Sequence, residues 1–79
     1  MYYVYIFRSE KDGSYYTGVT TDIEKRLLEH NSGSSKYSSS HKPFVYIWSC
    51  IFSDKKKAYN FEEYLKSGSG IAFRNRHLI

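Results

Sequence analysis

Tyr2-Tyr3-Val4-Tyr5-Ile6-Phe7-Arg8, then Lys11-Asp12-Gly13-Ser14, then Tyr15-Tyr16-Thr17-Gly18-Val19: this stretch decides the fold. The first run is rich in Tyr, Val, Ile and Phe, which suit a pleated, half-buried surface, and it predicts a strand. Asp12-Gly13 supplies the chemistry of a tight hairpin turn. Tyr15 to Val19 predicts the return strand, antiparallel to the first.

Beyond the hairpin, Thr21-x-x-Glu24 has the pattern of a capping box, with Asp22 also favourable near a helix N-terminus. Ile23, Leu27 and Leu28 recur at helical spacing, which predicts a helix from about Asp22 to Asn31. Asn31-Ser32-Gly33 ends it. Ser32 to Ser40 is small, polar and serine-rich, and a loop is expected there. Phe44 to Phe52 predicts a third strand, longer and more apolar than the others. Ser53 or Asp54 would cap a second helix, with Ala58, Phe61 and Leu65 as its core stripe. Gly68-Ser69-Gly70 is expected to break that helix. Ile71 to Leu78 follows as a short last helix carrying Arg74, Arg76 and His77. The order β-β-α-β-α-α predicts an α+β fold, a three-stranded antiparallel sheet flanked by helices.

Seventy-nine residues suit one domain spanning positions 1–79. So short a chain has a small core. Aromatics make up 19% of it, with nine Tyr and five Phe, and large rings fill such a core efficiently. The same rings can stack on bases. A formal net charge of +4 favours a polyanionic partner, although a lysine-rich soluble surface gives the same number. Cys50 is the only cysteine, lies in an apolar run, and is expected to be a buried small hydrophobe. One thiol without a disulfide partner points to a reducing compartment, hence the cytoplasm. No zinc-ligand spacing occurs, and no apolar stretch is long enough to cross a membrane. The chain starts straight into a strand pattern, so no signal peptide is expected.

Several side chains are candidates for chemistry. Glu62 sits at the edge of the second helix's apolar stripe, where a carboxylate needs a partner. It could ligate Mg²⁺, or pair with Lys66 at i+4. Arg26 and His30, four apart, share a face of the first helix and flank Leu27. An Arg fork suits phosphate oxygens, and a neutral His can move a proton. A surface Arg and a helix-end His would give the same pattern. Tyr3, Tyr5 and Phe7 share one face of the first strand, and Tyr16 and Gly18 one face of the second. A glycine there weakens a strand unless something must approach its backbone closely. A tyrosine in a strand is also ordinary cross-strand packing.

Taken in order, Tyr3-Val4-Tyr5, Tyr16-Thr17-Gly18, Arg26, His30 and Ala58-x-x-x-Glu62 resemble the GIY-YIG nuclease family. The resemblance runs from Tyr3 through Lys66. Tyr5 matches the last residue of the first family word, and Tyr16 and Gly18 match the outer residues of the second. The family's Arg falls on Arg26, its Tyr or His four residues on falls on His30, and its metal-binding Glu falls on Glu62. The chain is most similar to the small stand-alone bacterial branch, the YhbQ-like proteins, through Tyr16 to Asp22 and through Leu65-Lys66-Ser67-Gly68-Ser69-Gly70. It departs at Val19, where excision-repair relatives carry a Lys. Homing and restriction relatives carry an Asn beyond the Glu, and Asn75 lies in that region.

The resemblance implies a metal-dependent endonuclease. Glu62 would hold a single Mg²⁺ or Mn²⁺. Tyr16 would activate the attacking water, helped by Tyr5 and His30, and Arg26 would stabilise the phosphoryl oxygens. A free tyrosine has a pKa near 10, so His30 competes with it as the base. Gly18, Lys36, Lys42, Lys66 and Arg74 are candidates for substrate binding, with Lys55, Lys56, Lys57 and Arg76 as further phosphate contacts. DNA is the more expected polymer than RNA, with a role in repair or in processing branched or single-stranded DNA. No base-reading helix is evident, so a protein partner could supply specificity. The oligomeric state is open. The alternative is a nucleic-acid binding module on a nuclease scaffold with little turnover.

Overall fold

A computed structural model describes residues 1–33 and 36–79, those at 36 and 37 by backbone alone. Among the described residues the elements run β1 (Tyr2–Ser9), β2 (Tyr15–Thr20), α1 (Ile23–Asn31), α2 (Lys36–His41), β3 (Phe44–Phe52), α3 (Lys55–Lys66) and α4 (Gly68–His77). The three strands form one antiparallel sheet in the order β2-β1-β3. The expected α+β architecture is therefore present. The two hairpin strands each extend one residue further than the sequence pattern suggested.

β1 is central, and this is why its residues are apolar on both sides: Val4, Tyr5, Ile6 and Phe7 are all fully buried. Period-two alternation sends Val4 and Tyr5 to opposite faces. On one face Val4 packs with Ala58 and Leu65 of α3, and Val19, Trp48, Phe52 and Phe61 close around them. On the other, Tyr5 and Phe7 pack with Phe44, and with Tyr16, Ile23 and Leu27 at the margin. Cys50 borders the first cluster but is only half-buried, so it closes the edge of the core rather than lying inside it.

The turn between β1 and β2 is set by two residues. Gly13 takes φ +76°, a conformation that costs glycine nothing. The Asp12 carboxylate accepts from the Ser14 amide at 2.9 Å and from its hydroxyl at 2.7 Å. At the start of α1, Asp22 is the cap and accepts from the Lys25 amide at 3.1 Å, so the Thr21 capping box is displaced by one residue. Leu28 faces solvent, 71% exposed, so the apolar stripe of α1 is Ile23 and Leu27 alone.

Two expectations fail further along. The serine-rich segment contains a helix, α2, where a loop was expected; Ser34 and Ser35 lie outside the described residues. Its described side chains, Ser38 to His41, are polar, and its end is held by a polar contact. Ser9 Oγ donates to the His41 carbonyl at 2.5 Å. The Asn31 side chain clasps the start of β3, donating to the Phe44 carbonyl at 3.1 Å and accepting from its amide at 2.6 Å. The glycines after α3 do not hold a break open. α3 ends at Lys66, and Ser67 at once caps α4 by accepting from the Gly70 amide at 3.2 Å. Gly68, Ser69 and Gly70 form the first turn of α4. Any Cβ on Gly70 would collide with the Tyr64 carbonyl and the Leu65 backbone, so glycine is what lets α3 and α4 meet so tightly.

Candidate active site

The sheet face covered by α1 gathers most of the chemistry. Tyr5 and Gly18 are cross-strand partners on β1 and β2, as are Phe7 and Tyr16. The Tyr5 ring lies across Gly18 so closely that a Cβ there would overlap the Tyr5 hydroxyl. The sequence flagged Gly18 because something must approach its backbone. What approaches is the chain's own tyrosine, in the manner of an aromatic side chain covering a strand glycine.

His30 comes from the last turn of α1 and is only 5% exposed. Its ring meets Tyr16, Phe44, Phe7 and Tyr5 edge-on, with centroids 4.7, 5.2, 5.4 and 6.2 Å away. His30 Nδ1 lies 3.0 Å from the Arg26 carbonyl, which can only accept, so Nδ1 carries the proton. In the neutral ring the lone pair is then on Nε2. Burial lowers the pKa of His30 below the ordinary histidine value, and the nearby Arg26 charge adds to this against the Arg26 carbonyl bond. At neutral pH the ring is therefore uncharged.

Tyr5 and Tyr16 stack with centroids 6.3 Å apart. The Tyr5 hydroxyl is buried and finds no partner of acceptable hydrogen-bond geometry. The Arg26 guanidinium acts on it by charge and by a loose side-chain hydrogen bond, and Tyr16 and Glu62 act by charge. Desolvation dominates and pushes its pKa well above the ordinary tyrosine value, so Tyr5 remains a protonated, neutral donor. Four sequence candidates from four elements thus share one neighbourhood: Tyr5 of β1, Tyr16 of β2, Arg26 of α1 and Glu62 of α3.

Arg26 pairs with Glu29 at 3.4 Å, both partly exposed, a contact worth at most about 1 kcal/mol in water. A phosphate could therefore displace Glu29 at little cost. Glu62 is different. Its side chain is 13% exposed, and Lys66 reaches it at 2.5 Å from 55% exposure. The i+4 partner weighed for Glu62 is present, and the carboxylate stays almost out of water behind it. Among the described residues no group of three or more His, Cys, Asp or Glu side chains comes together. A divalent cation here would rest on Glu62, with waters and a substrate oxygen completing the shell. That donor set fits Mg²⁺, which keeps several waters and takes one or two carboxylates.

A groove opens beside Tyr16, lined by Tyr15, Tyr16, Thr17, Leu65, Lys66, Ile71 and Arg74, whereas Arg26 lines a separate hollow with Asp22, Lys25 and Glu29. Lys66 and Arg74, both expected at the substrate, share it with Tyr16. Lys42 does not line it and sits beside Gly33 at the far end of the α2 segment. The Lys36 side chain lies outside the described residues. Lys55 stacks its ammonium 6.0 Å from the Tyr59 ring, outside the groove. Asn75 is exposed, and its Oδ1 is engaged by the Arg74 guanidinium. Tyr15, at the groove wall, was not singled out from sequence; it reads there as one more strand tyrosine. Val19 packs against the apolar cluster of the opposite face, which accounts for an aliphatic residue at that position.

Residues 1–72 match the family of the GIY-YIG catalytic domain. The chain belongs to the GIY-YIG family. Among relatives of this GIY-YIG chain, the UPF0213 protein SH2523 of Staphylococcus haemolyticus is 41% identical over 69 residues, covering 86% of this chain and 83% of the other. The UPF0213 protein VNG_2274C of Halobacterium salinarum is 37% identical over 67 residues, covering 84% and 86%. The solution NMR structure of the UPF0213 protein BH0048 from Bacillus halodurans is 40% identical, with a TM-score of 0.51 over 84% of this chain and 71% of that one. These relatives agree with the small stand-alone branch that the sequence resembled. Among the described residues no helix is long and apolar enough to cross a membrane.

Proposed function

We propose that this GIY-YIG chain is a metal-dependent endonuclease that hydrolyses internal phosphodiesters of DNA. One observation carries the proposal: Tyr16, Arg26 and Glu62, drawn from three separate elements, all act electrostatically on the buried hydroxyl of Tyr5, and Tyr16 opens onto a groove. Glu62 would hold a single Mg²⁺ or Mn²⁺, and the cation when bound would supply positive charge to the scissile phosphate. Arg26 exchanges Glu29 for a non-bridging phosphate oxygen, an electrostatic contribution that phosphoryl transfer depends on. Tyr16 stands at the groove and orients the attacking water. His30 is too enclosed to meet a substrate, so it acts behind Tyr16, neutral and able to accept a proton at Nε2. Tyr5 acts as a fixed hydroxyl donor beside Arg26.

In the same reading residues 1–79 act as one domain in a reducing cytoplasm, with DNA preferred to RNA and a processing or repair role. Sequence preference would come from a protein partner or from the shape of the DNA. The test is nicking of supercoiled plasmid in Mg²⁺ or Mn²⁺ by the wild type and by Glu62→Ala. Metal-dependent nicking that Glu62→Ala abolishes, with DNA binding intact, is the expected result. Binding without cleavage by the wild type would leave a nucleic-acid binding module instead. Equal nicking by both proteins would remove Glu62 from the site.

A further inference from the structure

We propose that Arg74 is a preorganised phosphate anchor. It would hold the DNA backbone as the strand leaves the reacting phosphate through the groove, and Tyr15 and Asn75 set its position. This rests on the nuclease reading and extends it to the substrate: a strand that continues past the cut, held by its backbone.

Two restraints fix the guanidinium. Its carbon lies 4.8 Å from the centre of the Tyr15 ring, a cation–π contact between the hairpin and α4. Its Nε and Nη2 donate to Asn75 Oδ1 at 3.1 and 2.9 Å. An arginine is otherwise one of the most mobile side chains, and ordering it on binding would cost entropy. Here that ordering precedes the ligand. The bonds to Asn75 leave the other N–H donors of the fork for a ligand, and paired donors of this kind match phosphate oxygens. Among the described residues no carboxylate forms an ion pair with Arg74, whereas Lys66 in the same groove is held by Glu62.

The chemistry of the contact also excludes one kind of recognition. A half-buried tyrosine at a nucleic-acid groove would ordinarily offer its open face to a base. The Tyr15 face carries Arg74. The groove therefore recognises phosphate there, and the contact is indifferent to sequence. Because Arg74 and Tyr16 line one groove, a strand seated at Tyr16 needs backbone on the Arg74 side to gain this contact.

The experiment is fluorescence anisotropy of a short fluorescein-labelled DNA duplex in EDTA, so that no cleavage intervenes, titrated over a range of salt. Removing one phosphate contact should lower the slope of log affinity against log salt by about 0.9, and Arg74→Ala is expected to do so equally on unrelated sequences. Arg74→Lys should keep the slope and lose affinity, because the charge remains and the fork does not. Tyr15→Phe should bind as the wild type, and Tyr15→Leu about 2- to 5-fold more weakly. An Arg74→Ala slope equal to the wild type's, in a protein with a wild-type circular dichroism spectrum, overturns the anchor. Equal behaviour of Tyr15→Phe and Tyr15→Leu overturns the positioning role of the ring. Absence of any salt-sensitive binding by the wild type is a separate result: it overturns the nuclease reading itself.

Discussion

Val4 and Tyr5 are neighbours on β1, and both are fully buried, but they face different company. Val4 meets Ala58 and Leu65, hydrocarbon against hydrocarbon. Tyr5 meets Phe7, Phe44, Tyr16 and His30, a wall of rings that carries two hydroxyls and an imidazole. The α3 face stabilises by area removed from water, and no atom in its buried centre needs a partner. The α1 face removes comparable rings from water but leaves the Tyr5 hydroxyl without a well-formed hydrogen bond and His30 with a lowered pKa. A small protein can build both faces on one strand because side chains alternate with period two. The separation is incomplete, because α3 supplies Leu65 to the apolar cluster and also carries Glu62 and Lys66.

The comparison can be broken most sharply on the hydrocarbon side. Leu65→Ala should cost about 2–5 kcal/mol, a large share of the stability of a domain this size. Urea denaturation measures it. Nicking per folded molecule should fall as well, because Leu65 also lines the groove; unchanged nicking would show that the two faces are independent. Gly18→Ala comes next, at about 1–3 kcal/mol, because the new methyl meets the Tyr5 hydroxyl. Adding Tyr5→Phe should recover part of that loss, and strict additivity in the double variant would place the clash elsewhere.

Tyr5→Phe alone sharpens the contrast. It removes a buried hydroxyl that has no well-formed hydrogen bond, so the stability read from thermal unfolding should shift by no more than about 1 kcal/mol in either direction. Nicking should nevertheless fall about tenfold or more. A fall in stability without a fall in rate would return Tyr5 to the class of packing residues.

The smallest effect is the pH dependence of His30. Its folded pKa lies below the ordinary value near 6.5, so the unfolded chain binds the proton first as pH falls. Its contribution is therefore fully present above about pH 6.5, is lost as pH falls through that value, and levels off below the folded pKa. The slope cannot exceed ~1.4 kcal/mol per pH unit for one proton. Comparing stability–pH curves for wild type and His30→Gln isolates it, and identical curves would show that His30 is not buried neutral.

All three strands, α1, α3 and the caps near Asp22 and Asp54 could be read from residue pattern, because apolar periodicity and turn chemistry agree there. The α2 helix could not, because Ser38 to His41 are polar and the end of the helix is held by a polar contact with Ser9. The early start of α4 was hidden because glycines usually interrupt helices, and only the proximity of Tyr64 and Leu65 shows why Gly70 is needed. At the candidate site the set of residues was legible, through the ordered family words. Their roles in space were not. Nothing in the spacing of Arg26 and His30 tells which of them is enclosed, and nothing around Tyr15 signals that Arg74 covers it.

The Asn31 clasp has a consequence for engineering. A single amide ties the end of α1 to the first residue of β3, so the chain between them leaves and returns at nearly the same place. The ends of that excursion stay fixed whatever its length, and closing a longer loop costs only about 0.6 kcal/mol for each doubling. The segment between Asn31 and Phe44 is therefore a natural insertion port, where a foreign recognition peptide can be grafted without moving Tyr16, Arg26 or Glu62.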